Sequence, residues 1–153
     1  MMRMPCLLVA TLLSTVSSAG AQSCDYHEVD PGNGRIRLGW GKLDLGAGDA
    51  PRHPESWRGP IVLTQPGGGY CVTDLHASQI ERPLYTDGQN LMLTTYSTVD
   101  GLRSVFILSA ATCRVLWKSP AFSGHVVLTA DTLRMGHTTW KLGPHCLPEG
   151  DVH

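Results

Sequence analysis

The sequence predicts an all-β protein: an antiparallel β-meander sheet, or two packed sheets, stapled by disulfides and preceded by a cleaved signal peptide. Three observations carry that expectation. Short runs alternate apolar and polar residues with period two. Gly, Pro and Asp-Gly turn signals separate these runs at close spacing. Cys24, Cys71, Cys113 and Cys146 form an even thiol set downstream of an export signature.

Residues 1–21 read as the signal peptide. Arg3 is its positive head, residues 6–13 are a short apolar core, and Ala19-Gly20-Ala21 is a small-x-small cleavage site. The apolar run is too short to span a bilayer, and no later segment is long and apolar enough to do so. Cleavage leaves residues 22–153 as one domain of about 130 residues, enough for a modest core. Cys6 departs with the signal. The other four thiols, in the oxidising periplasm, point to two disulfides, with three pairings open.

The first strand is expected over residues 35–40, with Ile36, Leu38 and Trp40 on one face. Residues 41–60, broken by Pro51, Pro54 and Pro60, read as a long irregular loop. Trp57 lies within it, either as an exposed partner anchor or folded back onto the sheet. Strands follow at 61–64 and 70–73 around the turn cluster 65–69. Residues 83–85 and 90–96 flank the Asp87-Gly88 pair, a hairpin signal because a type I′ turn needs positive φ at both central positions. The connection over 97–102 is longer than a tight turn, so it should project beyond the sheet before a strand at 103–108. A strand over 113–117 places Cys113, Val115 and Trp117 on one face. A hairpin joins 125–129 to 132–135, a last strand covers 138–142, Cys146 ties down the C-terminal segment, and the residues from 147 onward are expected to fray.

Twelve Lys and Arg stand against thirteen Asp and Glu, with no basic stripe. That balance argues against nucleic acid and anionic membrane surfaces as partners. Catalytic sets are not found. Cys71 with His76 nearby resembles a thiol nucleophile, but a half-cystine is the expected role in an exported protein. No Gly-x-Ser-x-Gly elbow occurs. The seven histidines match no metal-ligand spacing, and Gly67-Gly68-Gly69 lacks the Lys-Ser/Thr of a phosphate loop. Carboxylate pairs such as Asp25/Glu28 and Asp44/Asp49 sit in loop-like sequence. The expectation is a binding protein with no cofactor, no metal and no enzymatic activity.

Five stretches carry a resemblance: Ser23-Cys24-Asp25-Tyr26; Pro60-Ile61-Val62-Leu63 leading to Tyr70-Cys71-Val72; Asp87-Gly88 before Leu91-Met92; Ser109-Ala110-Ala111-Thr112-Cys113-Arg114-Val115; and Asp131-Thr132-Leu133-Arg134-Met135-Gly136 before Cys146. In these, and in the order of its cysteines, the chain resembles the periplasmic immunity proteins of the type VI secretion amidase effectors, family 1. It lacks the extra C-terminal cysteines found there, and residues 41–60 match poorly. The resemblance implies a mostly β protein that inhibits a papain-like cysteine amidase of peptidoglycan, plugging the enzyme's groove with a surface loop. The corresponding residues here are Ser97, Thr98, Val99, Asp100, Gly101, Leu102 and Arg103. The resemblance assigns a serine contact with the effector's histidine, a role open to Ser97 or Thr98, less so to Ser104. Asp100 offers instead a charge-assisted bond to a protonated histidine. A periplasmic lysozyme inhibitor and a non-enzymatic envelope ligand-binding β domain are the alternative readings.

Overall fold

The computed structural model describes residues 24–77 and 79–150. The predicted signal peptide and the last three residues lie outside that range. The strands in chain order are β1 (His27–Val29), β2 (Arg35–Leu38), β3 (Gly41–Asp44), β4 (Ser56–Trp57), β5 (Ile61–Thr64), β6 (Tyr70–Thr73), β7 (Gln79–Thr86), β8 (Asn90–Tyr96), β9 (Arg103–Ser109), β10 (Val115–Lys118), β11 (Val126–Leu128), β12 (Thr132–Met135), β13 (Thr138–Leu142) and β14 (Pro148–Glu149). One short 3-10 turn, Pro144–Cys146, precedes β14. All pairings between these strands are antiparallel.

The expected antiparallel architecture is built as three sheets. The central one has the order β1-β7-β8-β9-β10, with β4 also paired to β7. The sheets β2-β3-β5-β6 and β11-β12-β13-β14 cover its two faces. The sequence of β8 follows from this position. A strand buried on both sides has no polar face to present, so its apolar run is nearly continuous. Six of its seven residues are buried, and only Tyr96 reaches partial exposure. Successive side chains still point to opposite faces. Leu91 and Leu93 join Leu84, Leu108, Leu43 and Leu63 in one core. Met92 joins Val105, Ile107, Leu133 and Met135 in the other. The register pairs Leu91 with Leu108 and Met92 with Ile107, so like faces meet. Each buried leucine contributes about 1.5–3 kcal/mol relative to exposure.

The two disulfides tie each outer sheet to the central one. Cys71 on β6 bridges to Cys113 beyond β9, with Cα atoms 5.8 Å apart. Cys24, just before β1, bridges to Cys146 beyond β13, with Cα atoms 5.4 Å apart.

Residues 41–60 are not an irregular loop. They contain β3, an interior strand of its sheet, and β4 on the central sheet. Leu43, Leu45 and Trp57 are all but fully buried. Trp57 folds back opposite Ile80 and is fully buried, so it is not an exposed side chain. The glycines here mark close backbone approach. Gly46 has φ +81°, and a Cβ there would strike the Gly59 carbonyl. Asp49 Oδ1 accepts hydrogen bonds from the Glu55 and Ser56 amides at 3.0 and 3.3 Å, folding the Pro-containing segment into a turn.

Three further differences concern edges. β7 begins at Gln79 rather than near Pro83, because Pro83 falls in a register shift between Glu81 and Leu84 and need not donate to the ladder. A register shift between Val115 and Trp117 leaves both Val115 and Leu116 exposed, so the strict alternation expected there fails. Beyond Cys146, Pro148 and Glu149 pair with β13 instead of fraying.

Candidate partner-binding loop

Residues 97–102 connect β8 to β9 at one end of the central sheet. Their own hydrogen bonds hold the connection in a defined turn. The Ser97 amide donates to the Leu102 carbonyl, and the Gly101 amide to the Ser97 carbonyl, each at 2.9 Å. Gly101 sits at φ +72°, a left-handed conformation that glycine adopts without steric cost. Asp100 closes the turn through its side chain: its Oδ1 accepts from the Leu102 amide at 3.0 Å. That bond, with a second from the Ser97 side chain, holds the Asp100 carboxyl below its ordinary pKa, so the loop presents an anion. At the apex Val99 is 93% exposed. An isolated apolar side chain on a bonded frame is preordered for insertion, and preordering lowers the entropy opposing binding.

The base of the loop is anchored in the sheet. Arg103 is the first residue of β9 rather than a loop residue. Its Nε lies 2.8 Å from Glu81 Oε2 on β7, with side-chain exposures of 29% and 21%. Its guanidinium stands 5.1 Å from the Tyr96 ring centroid. Its backbone exchanges hydrogen bonds with Phe122 at 2.8 and 2.9 Å, tying the segment after β10 to the loop's foot. Arg103 therefore supports the loop and is not presented by it. The side chain of Ser97 is engaged by Asp100. Ser104 belongs to β9, and its carbonyl accepts from Thr95 Oγ1 at 3.1 Å. The exposed residues of the loop are thus Thr98, Val99, Asp100 and Gly101.

The other candidates resolve simply. Cys71 is a half-cystine, so the Cys71/His76 nucleophile does not exist in this structure. Asp44 pairs with Arg35, and Asp49 caps the turn before β4. Among the described residues no group of three or more His, Cys, Asp or Glu is placed to hold a metal ion. Among them, too, no helix is long and apolar enough to cross a membrane.

Sequence reasoning missed the opposite end of the central sheet. There the turns after β2, β5, β7 and β9 enclose a groove of about 400 Å³ walled by Trp40. Trp40 Nε1 donates to Thr86 Oγ1 at 3.3 Å, fixing the ring. It also missed a basic row on the outer face of β2 and β3, where Arg37 lies opposite Lys42. The only sequence signal was a pair of alternating arginines followed by a lysine five residues on. In sequence comparisons no protein-family profile matches the chain, and no curated protein matches it.

Proposed function

We propose that the chain is an exported immunity protein that binds and inhibits a cysteine amidase of peptidoglycan, with the loop over residues 97–102 entering the enzyme's groove. The reading begins from the sequence resemblance. The observation that supports it best is the loop itself: Val99 stands almost wholly in solvent on a turn locked by Asp100 and braced by Arg103 and Glu81. In this reading Val99 fills an apolar part of the groove. Asp100, held anionic, faces the imidazolium of the enzyme's Cys/His pair, and Thr98 lines the approach. The inhibitor does no chemistry. The two disulfides suit an oxidising compartment such as the periplasm, where peptidoglycan amidases act.

The test replaces residues 97–102 by a short glycine linker in the oxidised mature protein. The reading expects near-complete loss of inhibition of the cognate amidase, with the far-ultraviolet spectrum and both disulfides retained. Unchanged inhibition moves the contact away from this loop and overturns the assignment.

A further inference from the structure

The outer face of the β2-β3-β5-β6 sheet carries a charge arrangement that the loop does not use. Strand register sets its side chains in two rows. Arg37, Lys42, Thr64 and Tyr70 form one; Arg35, Asp44, Val62 and Val72 form the other. The alternate residues, Ile36, Leu38, Leu43 and Leu63 among them, pack inward. In the second row Arg35 Nε meets Asp44 Oδ2 at 3.1 Å. In the first row two exposed cations stand directly opposite each other. Neither has a carboxylate within ion-pair distance among the described residues.

Like charges directly opposite on neighbouring strands destabilise a sheet. The whole chain has a net charge of −1, so this row is a local segregation of charge and not a consequence of basic composition. Two grooves of about 340 and 320 Å³ flank the pair, and Arg37, Lys42 and Thr64 line both. On the β6 side, Tyr70 and Val72 are 73% and 51% exposed and extend the face with apolar surface.

We infer that this face docks an extended acidic peptide segment of a partner protein. The segment's carboxylates sit on Arg37 and Lys42, and its apolar side chains lie against Val62, Tyr70 and Val72. The size of the face argues for a segment. Four strands about 4.8 Å apart, four residues long, cover roughly 19 by 13 Å. That is about a third of the roughly 800 Å² per partner of a standard protein interface. The charge argues for spaced carboxylates. Arg35 is matched by Asp44, so Arg37 and Lys42 are the unmatched cations of the face; a dense polyanion would leave most of its charge unneutralised there, whereas a peptide can alternate acidic and apolar residues along its length. The inference is independent of the amidase reading, which uses the loop between β8 and β9 of the central sheet.

The test titrates the oxidised, isotope-labelled mature protein with a capped peptide of two central glutamates flanked by leucines. Its glutamine analogue serves as control. The expected result is amide shifts confined to β2, β3, β5 and β6, with the analogue about tenfold weaker, the worth of one charge-assisted hydrogen bond. The double variant Arg37→Gln/Lys42→Gln should bind the glutamate peptide at least as weakly as that, with its thermal midpoint not lowered because a like-charge pair is removed. Equal affinity for the two peptides, shifts mapping elsewhere, or no binding at millimolar peptide overturns the inference. So does perturbation of the same amides by anionic phospholipid vesicles when the peptide gives none. Amidase inhibition by the double variant reports separately on the loop.

Discussion

Replacing Cys71 and Cys113 together by alanine removes the covalent tie between the central sheet and the β2-β3-β5-β6 sheet. The bridge spans a sequence separation of 42. In the chain-entropy treatment, closing a loop of that length in the unfolded chain is worth about 4 kcal/mol at 25 °C. Cys113 also lies within the first core, 5% exposed, so its truncation adds a small packing loss. A domain of this size has about 5–15 kcal/mol of stability in total. The variant should therefore fold but only marginally. Urea unfolding followed by tryptophan fluorescence is the assay, because Trp57 is fully buried in that same core. With a slope of about 2 kcal/mol/M, the midpoint should fall by about 2 M. The Cys24–Cys146 bridge spans 122 residues of separation, worth about 5 kcal/mol in the same treatment. A loss below about 1 kcal/mol on removing Cys71–Cys113 would refute the view that this bridge holds the outer sheet in place.

Three more outcomes follow from particular contacts. Glu81→Leu leaves the half-buried Arg103 guanidinium without its carboxylate and should cost about 1–3 kcal/mol in urea unfolding, with amide broadening over 97–102. The Leu102 amide resonance should titrate with a midpoint below 3.8, since that amide donates a hydrogen bond to Asp100, whose pKa is lowered from that value. By the sign of that shift, the turn is fully held above the ordinary aspartate pKa and loosens as pH falls through the lowered one. Arg37→Glu turns a like-charge cross-strand pair into an opposite-charge pair, so stability should rise by about 0.2–1 kcal/mol, screened by salt.

Much of the central sheet was legible because its signals are local. The Asp87-Gly88 turn, the run over 90–96 and the alternation over 103–108 each declare a strand or hairpin within ten residues. The burial of β8 on both faces is a tertiary fact, and the run Leu91-Met92-Leu93 only hints at it. β3 and β4 were hidden because Gly41, Gly46 and the prolines read as breakers. Here Gly46 permits a backbone approach to Gly59 that no local pattern records. Disulfide pairing depends on which sheet covers which face, so four evenly unpromising spacings could not choose it. The loop's position was legible from its length, but its bonding was not. Asp100 and Ser97 lock each other, and Arg103 turns inward to Glu81. The row of Arg37 and Lys42 exists only once the β2–β3 hairpin sets its register, which is why composition alone argued against any basic surface.

The measurement closest to the central claim is titration of the purified cognate cysteine amidase with the oxidised protein spanning residues 22–153 and its Val99→Asp variant. The reading predicts that peptidoglycan cleavage stops at one inhibitor per enzyme. The variant, whose substitution lies at a 93% exposed apex and leaves the fold untouched, should inhibit at least about tenfold more weakly. Undiminished cleavage at excess inhibitor would contradict the function, and equal inhibition by the variant would contradict the site.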